Sequence, residues 1–185
     1  MKKALKILIA FVLLLVVAYL MGPSPAEPQF KTDLPLVSAS LIELEQEVNV
    51  SERMKKYLKP NKQARIVWAD SAHKHKTPYS ILYLHGFSAS QEEGAPVHTN
   101  IAQRFGCNLY LARLQDHGTQ HPDVFLNLTP ENMVASAQRA LAIAQQLGDS
   151  VIVMGTSNGG ALGLYLTSTQ PRVCALIVYL TAVAL

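Results

Sequence analysis

The chain has 185 residues, of which 49% are hydrophobic and 16% are charged, so it is long enough for one domain and too apolar for disorder. Without the lysines at positions 2, 3 and 6, its net charge of +3 becomes zero, because 13 basic and 13 acidic residues remain. This balance excludes a nucleic-acid-binding surface. Two cysteines without CxxC spacing, Cys107 and Cys174, exclude a disulfide framework and zinc or redox motifs. We expect both to be buried, on strands that are not neighbours, and therefore not disulfide-linked.

The first 22 residues have the pattern of an export segment. Three lysines precede an uninterrupted apolar run over residues 7–21, which is followed by Gly22 and Pro23. Its length lies between that of a secretory signal and that of a spanning helix. The residues at the end of the apolar run contain no clear signal-peptidase site. This favours an uncleaved membrane anchor, with the rest of the chain facing the periplasm or the outside. Secretion is the alternative if the signal is cleaved.

Residues 23–64 are predicted to form a proline-rich linker followed by an amphipathic helix. The helical pattern runs from Ser38 to Leu58, with Leu41, Leu44 and Val48 on one face. The glutamates at 43, 45 and 47 lie mostly off that face, so we interpret them as solvated rather than as a binding site.

Residues 65–185 alternate β-rich runs with helical ones, which predicts an α/β fold with a mostly parallel sheet and crossover helices. The predicted strands are Arg65–Ala69, as a hairpin strand, Ile81–Leu84, Asn108–Ala112, Val151–Met154 and Ala175–Leu180. The predicted helices are Val97–Phe105, Pro130–Leu147 and Ala161–Thr169, the second with an imperfect capping box from Thr129 to Asn132.

The run GTSNGG at 155–160 is the most informative motif. It lies directly between a predicted strand and a predicted helix, where a nucleophile needs small neighbours two residues away on each side. Gly155 and Gly159 satisfy that requirement around Ser157. An ordinary glycine-rich turn is the simpler alternative, but the position favours a nucleophile elbow.

A second motif, HGFS at 85–88, follows the predicted strand Ile81–Leu84. An acyl-transfer site needs two backbone N–H donors for its oxyanion, and this turn can supply one from Phe87 while Asn158 supplies the other. Gly86 supports the turn. We interpret His85 as a structural residue of the turn rather than as a base, because a base must approach Ser157 from another loop.

These motifs, together with YLHGFSAS at 83–90 and LARLQDHG at 111–118, resemble the α/β-hydrolase superfamily, and more narrowly its esterase and monoacylglycerol-lipase-like members. The resemblance covers residues 65–180. It implies a serine hydrolase that cleaves carboxylic esters, lipid esters among them, through an acyl-enzyme on Ser157, with no metal or cofactor. Asp116 stands where relatives usually have glycine, and Asn158 where many have Met or Gln.

The family order of the triad is Ser, then Asp or Glu, then His, yet residues 158–185 contain none of these partners. If Arg65–Ala69 corresponds to the second strand of the family fold, the last predicted strand, Ala175–Leu180, corresponds to the sixth. The fold is therefore predicted to be incomplete at its C-terminus, with strands 7 and 8 missing. All the histidines precede Ser157, at 73, 75, 85, 98, 117 and 121. We therefore expect a truncated or frameshifted hydrolase whose acid and base are not present in the chain.

Other interpretations stay open. The chain could be a catalytically inactive hydrolase-like binding protein, or a membrane tether with a vestigial hydrolase part. A substitute dyad of Asp116 and His117, or a metal pair of His117 and His121, is disfavoured because Gly118 and Pro122 argue against a helix there.

Overall fold

A computed structural model of the chain describes residues 2–22 and 26–181. Five strands form one sheet in the order β1-β3-β2-β4-β5, with β1 antiparallel to β3 and the other neighbours parallel. Their bounds are β1 Arg65–Val67, β2 Thr77–Leu84, β3 Asn108–Leu111, β4 Gly148–Ser157 and β5 Val173–Thr181. The predicted α/β sheet is confirmed. The hairpin prediction for β1 is wrong, because β1 pairs with β3 and not with β2.

In the described part of the chain, five α-helices accompany this sheet. They are α1 Lys2–Leu20, α2 Leu41–Arg53, α3 Val97–Phe105, α4 Pro130–Leu147 and α5 Asn158–Thr169. Helices α2 to α5 pack on the two faces of the sheet, and α1 does not. Side chains of β2 alternate between the faces: Leu82 and Leu84 join the core formed with α2, α4 and α5, whereas Ile81 and Tyr83 join the smaller core beside α3. The central strands are therefore buried on both sides, as their continuous apolar sequences predict.

The start of α4 carries a complete capping box. The Thr129 hydroxyl accepts from Asn132 N at 3.3 Å, and Asn132 Oδ1 accepts from Thr129 N at 3.0 Å. Asn132 thus takes the part that Glu or Gln usually plays in this motif. Helices α3 and α4 have their predicted bounds.

Helix α2 is shorter than predicted, ending at Arg53 rather than at residue 58. Its apolar face packs as expected through the buried Leu44 and Val48. The acidic face is less solvated than expected, since Glu45 accepts from Trp68 Nε1 at 2.8 Å and Glu47 pairs with Arg139 of α4 at 2.6 Å.

Helix α1 makes no buried contacts with the rest of the chain, and its window Lys3–Leu20 has a mean hydropathy of 2.4. It is long and apolar enough to span a membrane, by length and composition. After it, residues 29–34 form a strap across α4 and α5. The strap carbonyl of Lys31 accepts from Gln138 Nε2, and that of Thr32 accepts from Gln170 Nε2 at 2.7 Å. This part of the predicted linker is therefore docked on the domain.

The two cysteines are free and differ in exposure. Cys107 is buried, as predicted, but Cys174 is exposed, so its predicted burial is wrong. Cys174 lies on β5, which pairs within the described residues with β4 alone and forms an edge of the sheet. An edge strand lacks a neighbouring strand on one side, so its side chains are covered less completely. This accounts for the greater exposure of Cys174.

Candidate active site

Ser157 lies at the junction of β4 and α5 with φ 50° and ψ −118°. This positive φ is strained for a residue with a side chain. A sharp strand-to-helix turn requires such a backbone conformation. Asn158 is the first residue of α5, so its N–H has no acceptor within the helix. The serine and a free amide therefore meet at the carboxyl edge of the sheet.

The glycines on either side of the turn are required by close packing. A Cβ at Gly155 would lie 2.5 Å from Gly159 O, and a Cβ at Gly159 would lie 2.1 Å from Leu84 O. The helix thus begins in direct contact with the end of β2. This explains physically why both positions are glycine in a nucleophile turn.

The turn at residues 85–88 lies across Ser157. A Cβ built on Gly86 would be 3.4 Å from Ser157 Cβ, so the turn backbone approaches the serine closely. Ala89 N donates to Gly86 O at 3.3 Å and Ser88 has φ 59°, which closes the turn. Among the described residues, the Phe87 N–H is paired with no acceptor. Phe87 and Asn158 thus each have a backbone N–H without an acceptor, on the two segments that approach each other at Gly86 and Ser157.

His85 is fully buried beneath this turn. Its Nε2 lies 3.1 Å from Leu114 N and must accept that hydrogen bond, so Nδ1 carries the proton and donates to Gly86 O at 2.8 Å. Burial lowers the pKa of His85 to about 4. With both nitrogens occupied, His85 ties the oxyanion turn to the loop after β3.

The state of His85 makes folding depend on pH. Because its pKa is lower in the folded chain than the ordinary value of 6.5, its contribution to stability is complete above pH 6.5 and is lost as the pH falls towards 4. Between pH 7 and pH 5 this residue should account for a loss of about 2 kcal/mol in the free energy of unfolding. Urea unfolding in a mild detergent at the two pH values measures it.

Two variants isolate the effect of His85. His85→Gln should lower stability at pH 7 and show a smaller loss between pH 7 and pH 5 than the parent chain. His75→Gln removes an exposed histidine and should keep the parent's pH dependence. Burial also lowers the pKa of His98 and His117, so some loss should persist in His85→Gln. An unchanged pH dependence in His85→Gln would contradict this assignment.

A buried ion pair fixes the loop after β3. Arg113 donates to Glu52 of α2 through Nε at 2.7 Å and Nη2 at 3.0 Å, and both side chains are at most 10% exposed. Its Nη1 donates to His117 O at 3.2 Å. Asp116 has φ 61°, a conformation that glycine adopts freely. The glycine-like turn is thus retained with an aspartate.

Asp116, His117 and His121, whose pairing as a dyad or metal site the sequence disfavours, each have other partners. Asp116 Oδ1 accepts from Gln115 Nε2 at 2.7 Å, while His117 Nδ1 donates to Gln115 O at 2.7 Å. The His117 ring packs against His85, Phe87 and Phe125, whereas His121 packs against Tyr57. His117 Nε2 is buried with no partner among the described residues.

Glu93 was not singled out by the sequence, yet it supports the turn from behind. Its Oε2 accepts from Gly86 N at 2.7 Å and from the Tyr83 hydroxyl at 3.4 Å. Tyr83 also bonds to Thr156 Oγ1 at 3.1 Å, which links this network to the residue before the serine. Glu93 belongs to a short 3-10 turn with no apolar periodicity. The only sequence signal for this contact is therefore the position of Glu93 shortly after the HGFS motif.

A cavity of about 490 Å³ opens beside the turn. Ser88, Asp116, His117 and Phe125 contribute to its walls, and Lys59 and Lys62 lie at its rim. The Phe87 and Phe125 rings, with centroids 4.8 Å apart, form an apolar side of this region. The cavity can bind a molecule with both an apolar and a polar part. Its lining contains Ser88 of the turn but neither Phe87 nor Ser157.

This geometry agrees with similarity to known enzymes. Over 100 residues the chain is 31% identical to a thermostable monoacylglycerol lipase from a Bacillus species, covering 54% of this chain and 39% of the lipase. The chain has an α/β-hydrolase-like fold, and its sequence is similar to that of this esterase and lipase group. No family model matches it.

Two solved structures are also similar to this chain. One belongs to a pair of metagenome-derived lipolytic enzymes, LipS and LipT, with a TM-score of 0.58 and 21% identity over 68% of this chain and 48% of that one. Another is an α/β-hydrolase from Novosphingobium aromaticivorans, with a TM-score of 0.43 and 19% identity over 66% of this chain and 42% of that one. The chain thus spans less than half the length of these relatives.

Proposed function

We propose that the chain carries the nucleophile and the oxyanion donors of a serine ester hydrolase. The observation that supports this most is Ser157 in its strained turn, with the Gly86 backbone close to its side chain. In the reaction, Ser157 Oγ bonds to the ester carbonyl carbon and the alcohol leaves with a proton. Water then attacks the acyl-enzyme and releases the acid.

The amides of Phe87 and Asn158 act on the intermediate. Each would donate to the oxygen that becomes negative as the carbonyl is attacked, and the N-terminus of α5 adds positive potential at the same point. Residues 158–185 contain no His, Asp or Glu, so they supply neither the base nor the acid of the usual family order.

The substrate we propose is a carboxylic ester with an acyl chain. Phe87 and Phe125 offer an apolar surface for the chain, and the cavity beside them offers polar groups for the alcohol side. The relatives are named as a monoacylglycerol lipase and as lipolytic enzymes, which supports a lipid ester. We further propose that α1 anchors this site in a membrane.

A fluorophosphonate probe tests the nucleophile directly. The purified full chain, in mild detergent, should be labelled at Ser157, and added imidazole should raise the labelling rate because it supplies an external base. Ser157→Ala should not be labelled at all. Ser168→Ala, which removes an exposed serine later in the same helix, should be labelled like the parent chain.

Two results would overturn the proposal. One is equal labelling of the parent chain and Ser157→Ala. The other is absence of labelling with and without imidazole, which would favour the catalytically inactive binding protein.

A further inference from the structure

Residues 53–62 form a basic segment between α2 and β1. The segment reads RMKKYLKPNK, with one arginine, four lysines and no acidic residue. Residues 53–57 and 59–61 are exposed. Two large apolar side chains are exposed among the lysines, Met54 at 77% and Tyr57 at 57%. Cations mixed with exposed apolar groups are typical of a surface that lies in a membrane interface.

The basic segment lies at the same edge of the sheet as Ser157. Lys59 N donates to Gly118 O at 2.9 Å, and Gln120 N donates to Tyr57 O at 2.9 Å. Gly118 and Gln120 belong to the loop that leaves the carboxyl end of β3. Because β3 and β4 are parallel to β2 in one sheet, their carboxyl ends share an edge, and Ser157 ends β4.

Lysines of this segment are available to an external anion. Lys62 pairs with Glu92, whereas Lys55, Lys56 and Lys59 form no ion pair among the described residues. The other acids at this edge are Asp123, which is exposed, Asp116, whose Oδ1 accepts from Gln115, Glu93, whose Oε2 accepts from Gly86 N, and Glu131 in the first turn of α4. Lys55, Lys56 and Lys59 are therefore exposed cations without an acidic partner among the described residues.

The strap brings the N-terminal helix to this edge. Gln29 of the strap and Glu131, in the first turn of α4, line the same cavity. The last turn of α4 leads directly into the start of β4, at the amino edge of the sheet. The first turn of α4 therefore lies at the opposite, carboxyl edge. Only residues 21–28 separate α1 from Gln29. Eight residues reach at most about 29 Å, so an inserted α1 holds the carboxyl edge near the bilayer.

We propose that residues 53–62 bind the anionic headgroups of the bilayer in which α1 is anchored, so that the Ser157 edge faces the lipid. This rests on the proposed membrane anchoring and deepens the proposed function, because it makes the substrate an ester taken from the membrane itself. The lysines bind headgroup phosphates, while Met54 and Tyr57 enter the interface between headgroups and acyl chains.

Lysine acetylation with mass spectrometry tests this surface. The full chain is reconstituted in vesicles of phosphatidylcholine alone and in vesicles with added phosphatidylglycerol, neither of which has a reactive amine. Acetylation of Lys55, Lys56 and Lys59 should slow by about fivefold in the anionic vesicles. Lys76 is the internal control, because it precedes β2 at the opposite edge and pairs with Asp149. The acetylation rate of Lys76 should be the same in both kinds of vesicle.

A pair of variants adds a second readout. Lys55→Gln/Lys56→Gln should remove most of the protection of Lys59, whereas Lys74→Gln/Lys76→Gln should leave it intact. The proposal is overturned if the three lysines react equally in both vesicles, if Lys76 is protected to the same extent, or if the chain does not float with vesicles. None of these readouts needs catalysis, so fluorophosphonate labelling of Ser157 can succeed or fail independently.

Discussion

Replacing Gly159 by alanine is expected to destabilise the domain by roughly 3 kcal/mol or more. The new Cβ would lie 2.1 Å from Leu84 O, 2.6 Å from Leu84 C and 2.7 Å from His85 O. These are backbone atoms at the end of a central strand, so relief requires moving α5 away from β2. Urea unfolding in mild detergent measures the loss, and fluorophosphonate labelling of Ser157 should fall with it.

Gly163→Ala is a matched control on the same helix. Its Cβ would meet Leu176 Cδ1 at 2.8 Å and Val153 Cγ1 at 3.1 Å, which are ends of side chains that can rotate away. Alanine also favours a helix over glycine by about 1 kcal/mol, which offsets part of the crowding. We expect stability within about 1 kcal/mol of the parent chain. Equal losses in the two variants would contradict the proposed role of the Gly159 contact.

The sequence predicted the fold well where local signals and burial agree. Helices α3 and α4 were predicted with their observed bounds, because each combines a clear apolar pattern with a recognisable start or end. The strands were predicted in order, but β2 begins at Thr77, before the predicted residue 81. Pro78 and the exposed side chain of Tyr79 interrupt the apolar pattern there, although the backbone still pairs with β4.

The contacts that support the site were less predictable, since they join residues far apart in sequence. Arg113 and Glu52 are 61 positions apart, and no motif in the sequence singles out Glu52. The strap is held by side-chain amides that bind backbone carbonyls, which leaves no periodicity in the sequence. By contrast, the GTSNGG motif itself predicted the turn at Ser157, because only a few residue types allow that backbone path.

Replacing Arg113 by methionine is expected to lower stability by about 3–5 kcal/mol. Glu52 would keep one described hydrogen bond, from Ala64 N at 3.1 Å, and would remain a buried carboxylate without its cation. The loop after β3 would also lose the donor that binds His117 O. Urea unfolding measures the loss of stability, and labelling of Ser157 measures the effect on the turn that His85 joins to this loop.

Two further variants separate charge burial from positioning. Arg139→Met breaks the Glu47 pair, whose side chains are 35–40% exposed, and should change stability by at most about 1 kcal/mol. Glu52→Met/Arg113→Met removes both buried charges and should recover most of the stability lost in Arg113→Met. If Arg113 also positions the loop, the double variant should still label more slowly at Ser157 than the parent chain. Recovery of both stability and labelling would assign Arg113 a purely structural role.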